Sequence, residues 1–102
     1  MLLRNSLYDI MAQDEHSFTI RFNAAHPLFA GHFPGRPIVP GACLVQIAEE
    51  LASLQAGREV HIMALKNLKF RKPVTPEMEV TIRIQDDTIE IEPYMCACAD
   101  IQ

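Results

Sequence analysis

The chain has no apolar run approaching the roughly 18 residues that cross a bilayer as a helix. Its first residues, MLLRNSLYDIMAQ, hold no sustained apolar core of the kind a secretory leader carries. Neither a span nor a leader is expected, and the sequence reads as a soluble cytoplasmic domain. Basic residues are outnumbered. Nine Lys and Arg against thirteen Asp and Glu leave a formal charge of −4, which argues against nucleic acid or an anionic membrane as the main target. Cysteine is scarce, and the three present make an odd count without metal-ligand spacing. Cys96 and Cys98, two apart, would share one face of a strand as free thiols. Repeats, low-complexity segments and linkers are missing too, so residues 1–102 read as a single domain.

What is present in surplus is apolar surface. A chain of this length folded alone hides only about two-thirds of its unfolded surface, yet 49% of its residues are hydrophobic. Part of that surface is expected to meet a partner subunit. Glycine is rare and concentrated: three of the four glycines, Gly31, Gly35 and Gly41, lie with Pro27, Pro34, Pro37 and Pro40 in one short stretch. Proline fixes φ and glycine permits positive φ, so this stretch is built to hold one particular shape.

Leu7 to Gln13 reads as a first strand and Asp14-Glu15-His16 as a polar turn. Ser17 to Asn23 alternates, with Phe18, Ile20 and Phe22 on one face. A Pro/Gly loop from about Ala24 to Pro40 follows, with Pro40 suited to a first helical turn. Ala42 to Ala56 is helical in pattern, with Leu44, Ile47, Ala48, Leu51, Ala52 and Leu54 on the apolar face and Gln46, Glu49, Glu50 and Ser53 opposite. Gly57 with Arg58 is a stop signal. Val60 to Arg71, Met78 to Gln85 and Thr88 to Ile101 read as strands, with a turn at Asp86-Asp87. Pro93 removes a ladder donor, which places it at an edge, at a bulge or between two short strands. Strands, one helix, then strands again give an α+β fold, an antiparallel sheet laid on one helix.

The run HPLFAGHFPGRPIVPG, entering that helix, resembles the active-site signature of the hydroxyacyl-[acyl carrier protein] dehydratases of fatty-acid synthesis, the FabZ and FabA type. The resemblance covers roughly Leu7 to Glu92. It implies the hotdog fold, in which a curved antiparallel sheet wraps a central helix. It also implies removal of water from a (3R)-3-hydroxyacyl chain on acyl carrier protein to give a trans-2-enoyl thioester, with no metal or organic cofactor. A homodimer, or a larger assembly, would share its active sites between protomers.

That reaction needs a base at C2, a group that stabilises the developing enolate-like oxygen, and an acid for the departing hydroxyl. His32 is the strong candidate base, since neutral imidazole is poised near pH 7. The first free N–H groups of the helix, at Gly41 and Ala42, suit the thioester carbonyl. The resemblance gives His32 and the helix-start amide these same roles and puts Phe33 in substrate binding. Its acidic residue lies fourteen positions after the histidine, facing the other protomer's histidine, and here that position is Gln46. A carboxamide can hold a hydroxyl but cannot release a proton. Glu49 and Glu50, on the same helical face one turn on, either stand in as the acid or are solvated surface, and the surface reading is preferred.

Three rivals stay open. A catalytically weak acyl-binding subunit paired with an active homologue would account for Gln46. A hotdog thioesterase fits less well, since the Gly-His-Phe-Pro-Gly loop belongs to the dehydratases. For His32 the plain alternative is a loop histidine satisfied by backbone. His16 and His61 read as surface, and His26 lacks further metal ligands nearby. Lys66, Lys69, Arg71 and Lys72 either form a rim that docks an acidic carrier protein or are ordinary strand-edge cations. The N-terminus is shorter than usual for the dehydratases, and the segment after Asp87 is expected to hold one strand fewer.

Overall fold

The computed structural model describes residues 2–31 and 37–102, so His32 and Phe33 lie outside the described residues. In chain order the elements are β1 (Tyr8–Gln13), β2 (Ser17–Phe22), α1 (Pro27–Gly31), α2 (Gly41–Ala56), β3 (Ile62–Phe70), β4 (Glu79–Gln85), β5 (Thr88–Ile91) and β6 (Met95–Ile101). The six strands form one antiparallel sheet in the order β1-β2-β4-β5-β6-β3. This is the expected α+β, hotdog arrangement of a sheet on one long helix.

Two-residue periodicity sets which face is buried. Phe18, Ile20 and Phe22 of β2 are buried, as are Val80, Ile82 and Ile84 of β4, and the register pairs Phe18 with Ile82 and Ile20 with Val80. Ile89, Ile91, Met95, Ala97 and Ala99 continue the layer across β5 and β6. Leu44, Ile47, Ala48, Leu51 and Ala52 of α2 complete the same core. Each large apolar side chain so placed is worth at most about 1.5–3 kcal/mol. Pro93 falls between β5 and β6, in the turn closed by the Tyr94 N–H on the Ile91 carbonyl.

Helix α2 stops where its glycine allows. Gly57 adopts φ 70° and ψ 19°. Its N–H bonds the Leu54 carbonyl while the Arg58 N–H reaches the Ser53 carbonyl, a Schellman close that satisfies two terminal carbonyls.

Three expectations need correction. The Pro/Gly loop does not run unbroken from Ala24, because its first part is helix α1. The Asn23 side chain accepts from the Ala25 N–H (3.1 Å), the His26 Nδ1 accepts from the Leu28 N–H (3.0 Å), and Pro27 takes the first position, where no N–H is needed. Leu54, assigned to the apolar face of α2, is 40% exposed. Glu50, assigned to the solvated stripe, is 6% exposed. The residues that cover it come from the N-terminal segment and from β1.

Candidate functional site

Two spaces flank α2, one at its start and one along its polar side. At the start, Pro40 supplies no side-chain cap, and the N–H groups of Cys43 and Leu44 close on the Pro40 carbonyl. The N–H groups of Gly41 and Ala42 then have no acceptor among the described residues. These are orphan donors at the positive end of a 16-residue helix, an arrangement that favours a carbonyl oxygen gaining negative charge. Beside them is a cavity of about 300 Å³ lined by Val39, Gly41, Leu44, Phe70 and Val74, with Arg71 and Lys72 at its wall.

Phe70 rests its ring against the helix start at Gly41. A Cβ built on Gly41 would lie 2.6 Å from the Phe70 Cζ, so a larger residue there makes the ring shift. Phe70 was not singled out from the sequence, where it is one apolar residue in a long strand pattern. Cys43, one turn into the helix, is half-buried, and burial pushes its thiol above the ordinary range. That disfavours the thiolate, the form in which a cysteine reacts.

Along the polar side of α2 lies a larger cavity, about 540 Å³, lined by Arg4, Gln46, Glu49, Glu50 and His61 with apolar Leu2 and Leu54. Gln46 and Glu50 are a hydrogen-bonded pair, Nε2 to Oε2 at 3.1 Å. Glu50 also accepts from the Leu3 N–H (2.7 Å), the Arg4 N–H (3.0 Å) and the Tyr8 hydroxyl (3.0 Å). Burial, and then the charge of Glu50, hold the Tyr8 phenol well above its usual range. Glu49 is committed elsewhere, its Oε2 accepting the Ile62 N–H at 2.9 Å where β3 begins. His61 is exposed as expected and stands between Glu49 (3.7 Å) and Glu59 (3.3 Å).

The preferred reading of Glu49 and Glu50 as solvated surface thus fails, because both carboxylates fasten backbone. Their partners lie up to 47 positions away in sequence and leave no local signal. The two cavities share no lining residue, so within one chain Gly41 and Gln46 line different spaces. The basic segment is exposed, with Lys66 opposite Cys98 and Lys69 opposite Cys96 on the outer face of the sheet. Arg71 donates to the Cys96 Sγ at 3.3 Å.

Comparison with known proteins agrees with this architecture. Residues 9–97 match the ApeI-like family, described as ApeI dehydratase. Among curated proteins the chain is 35% identical over 86 residues to a 3-hydroxyacyl-[acyl-carrier-protein] dehydratase FabZ of Wolbachia sp. subsp. Drosophila simulans, covering 76% of this chain and 59% of that protein. It is 34% identical over 80 residues to the FabZ of Bartonella bacilliformis, covering 69% of this chain and 52% of that protein. The chain therefore spans between half and three-fifths of these relatives' length. Among solved structures, a chain of the dehydratase heterocomplex ApeI:P from Xenorhabdus doucetiae superposes with a TM-score of 0.64 at 16% identity, over 86% of this chain and 88% of that one. An uncharacterized protein from Erwinia carotovora subsp. atroseptica gives the same TM-score at 17% identity, over 92% and 90%. At such identities the superpositions speak for the fold alone, while the match over residues 9–97 settles kinship: this chain belongs to the ApeI-like, FabZ-related dehydratase family of hotdog proteins.

Proposed function

We propose that the protein dehydrates a (3R)-3-hydroxyacyl thioester presented on acyl carrier protein. The observation that carries this reading is the pair of helix-start amides at Gly41 and Ala42, which have no acceptor among the described residues and follow directly after the histidine motif in a chain of a dehydratase family. In the proposed reaction His32 takes the proton at C2, and the Gly41 and Ala42 amides hold the thioester oxygen as charge builds on it. The C3–O bond breaks, and the abstracted proton returns from His32 to the departing hydroxyl, which leaves as water. Gln46 holds that hydroxyl in line, and Phe33 contributes to binding the acyl chain. A cytoplasmic location belongs to the same proposal.

The active assembly is a homodimer. Edge strand β3 exposes the apolar residues Met63, Leu68 and Phe70 beside unpaired backbone groups. The division of Gly41 and Gln46 between separate cavities also supports a site completed by a second chain. For the carrier protein, the support is charge. Lys66, Lys69, Arg71 and Lys72 are exposed, and the last two wall the cavity at the helix start, where an acidic partner would dock.

A second reading has its own observation. Gln46 stands where the dehydratases carry an acid, and one solved relative is a dehydratase heterocomplex. Under that reading this chain is a weak acyl-binding subunit whose active homologue supplies the acid. Incubation with a 3-hydroxyacyl thioester on acyl carrier protein decides between the two. Enoyl product from the protein alone supports the first reading, and His32→Ala should then cost at least about a hundredfold in rate. Product only on adding a homologue, or from Gln46→Glu where the wild type gives none, supports the second. Release of free acid refutes both in favour of a thioesterase.

A further inference from the structure

We infer that Glu50 is a positioning residue for Gln46: it takes one N–H of the Gln46 carboxamide and so fixes the oxygen of that carboxamide as the acceptor for the substrate's hydroxyl. The inference rests on the dehydratase reading for its substrate and on the side-chain geometry for everything else.

What Glu50 can do follows from its surroundings. It is almost fully buried and accepts four hydrogen bonds, from the Leu3 and Arg4 amides, the Tyr8 hydroxyl and the Gln46 carboxamide. An ionised carboxylate offers about four acceptor positions, and here donors occupy them. A proton on either oxygen would displace a donor from its place, so Glu50 is not a source of the proton that the leaving hydroxyl needs. Three of the four donors belong to the N-terminal segment and to β1. They hold the carboxylate still whatever Gln46 does.

Gln46 then has one orientation. A carboxamide can be turned over at little cost in open solvent. Here the reversed form would set two oxygens 3.1 Å apart, one of them charged. The N–H must therefore face Glu50. The oxygen of Gln46 is left for the cavity that Gln46 lines with Arg4 and His61. A hydroxyl arriving there donates to Gln46, which leaves its lone pairs free to receive the proton that His32 carries. A carboxylic acid at the same position would donate instead, so the pair Gln46–Glu50 separates holding the hydroxyl from protonating it.

The test combines side-chain amide NMR with kinetics on three proteins. In the wild type, one Gln46 amide proton should resonate downfield of an exposed glutamine's and exchange slowly. Glu50→Gln should abolish that signature, while Tyr8→Phe, which removes a different donor to Glu50, should keep it. On the thioester, Glu50→Gln should lower kcat by about tenfold to a hundredfold, the scale of a misplaced catalytic contact, with KM nearly unchanged. Tyr8→Phe should lower the unfolding midpoint and retain kcat.

Wild-type Gln46 protons that behave as a freely exposed amide would overturn the inference. So would wild-type kcat in Glu50→Gln, or loss of kcat in both variants in proportion to lost stability, which would make Glu50 a fastener only. The amide signature is read on the wild-type protein, so it decides even if Glu50→Gln does not fold. A wild type that dehydrates no thioester overturns the dehydratase reading, and the amide signature then judges the pairing by itself.

Discussion

Replacing Gly41 with alanine sets a methyl group 2.6 Å from the Phe70 Cζ. Carbon atoms rest comfortably at about 3.5–4.0 Å, so the ring must withdraw by roughly 1 Å. Two effects then compete. Alanine constrains the unfolded chain more than glycine and suits the first helical turn, which favours the variant by about 0.5–1 kcal/mol. Against this stands the packing that the ring gives up. Full burial of a phenylalanine is worth roughly 1.5–3 kcal/mol, and a side chain that is 51% exposed has about half of that to lose, on the order of 0.8–1.5 kcal/mol. Gly41→Ala alone should therefore range from neutral to about 1 kcal/mol destabilising. In a Phe70→Ala background the obstacle is gone, and the same change should stabilise by about 0.5–1 kcal/mol. Urea unfolding of the four proteins of this cycle, at one fixed protein concentration, measures the coupling as the difference, expected near 0.8–1.5 kcal/mol. A coupling inside the roughly 0.3–0.5 kcal/mol scatter of independent sites would refute the claim that a larger residue at position 41 makes the Phe70 ring shift.

Two further outcomes are expected. The Tyr8 phenol is held neutral by burial and by Glu50, while in the unfolded chain it ionises near pH 10. Above about pH 10 the folded state thus binds the extra proton. Stability should fall as pH rises by about 1.4 kcal/mol per unit from this group, with no contribution below that pH. Urea midpoints between pH 9 and 11 check this, and equal slopes in wild type and Tyr8→Phe would contradict it. For the assembly, Met63→Lys with Leu68→Lys on the edge strand should convert a sedimenting dimer to the 11.5 kDa monomer, and a wild type that is itself monomeric at micromolar concentration would remove the shared-site proposal.

Most of the sheet was legible because period-two patterning is a local signal. Phe18, Ile20 and Phe22, and then Val80, Ile82 and Ile84, announce their buried face within six or seven residues. Gly57 announced the end of α2 in the same way, through the backbone freedom that the stop requires. Helix α1 was missed although Asn23, His26 and Pro27 spell its start, because the surrounding prolines and glycines suggested a loop. Glu50 was illegible for a different reason. A helical wheel places it beside Gln46 and Glu49, and only a chain segment far off in sequence turns that polar stripe into a buried anchor. The motif itself named His32 and Phe33, which fall outside the described residues, whereas Gly41 and Ala42 stand at the helix start where the motif places them.

The strand order has a consequence for synthesis on the ribosome. Strand β3 has a single neighbour, β6, and their register joins Ile62 to Ile101 and Phe70 to Met95. A nascent chain that has released β1 through β5 can already pair β1, β2, β4 and β5 in sequence, yet β3 has nowhere to go until β6 emerges behind it. Through that interval Met63, Leu68 and Phe70 hang on an unpaired strand, the most adhesive state an extended segment can adopt. Closing so wide a loop late makes β3 docking a slow step.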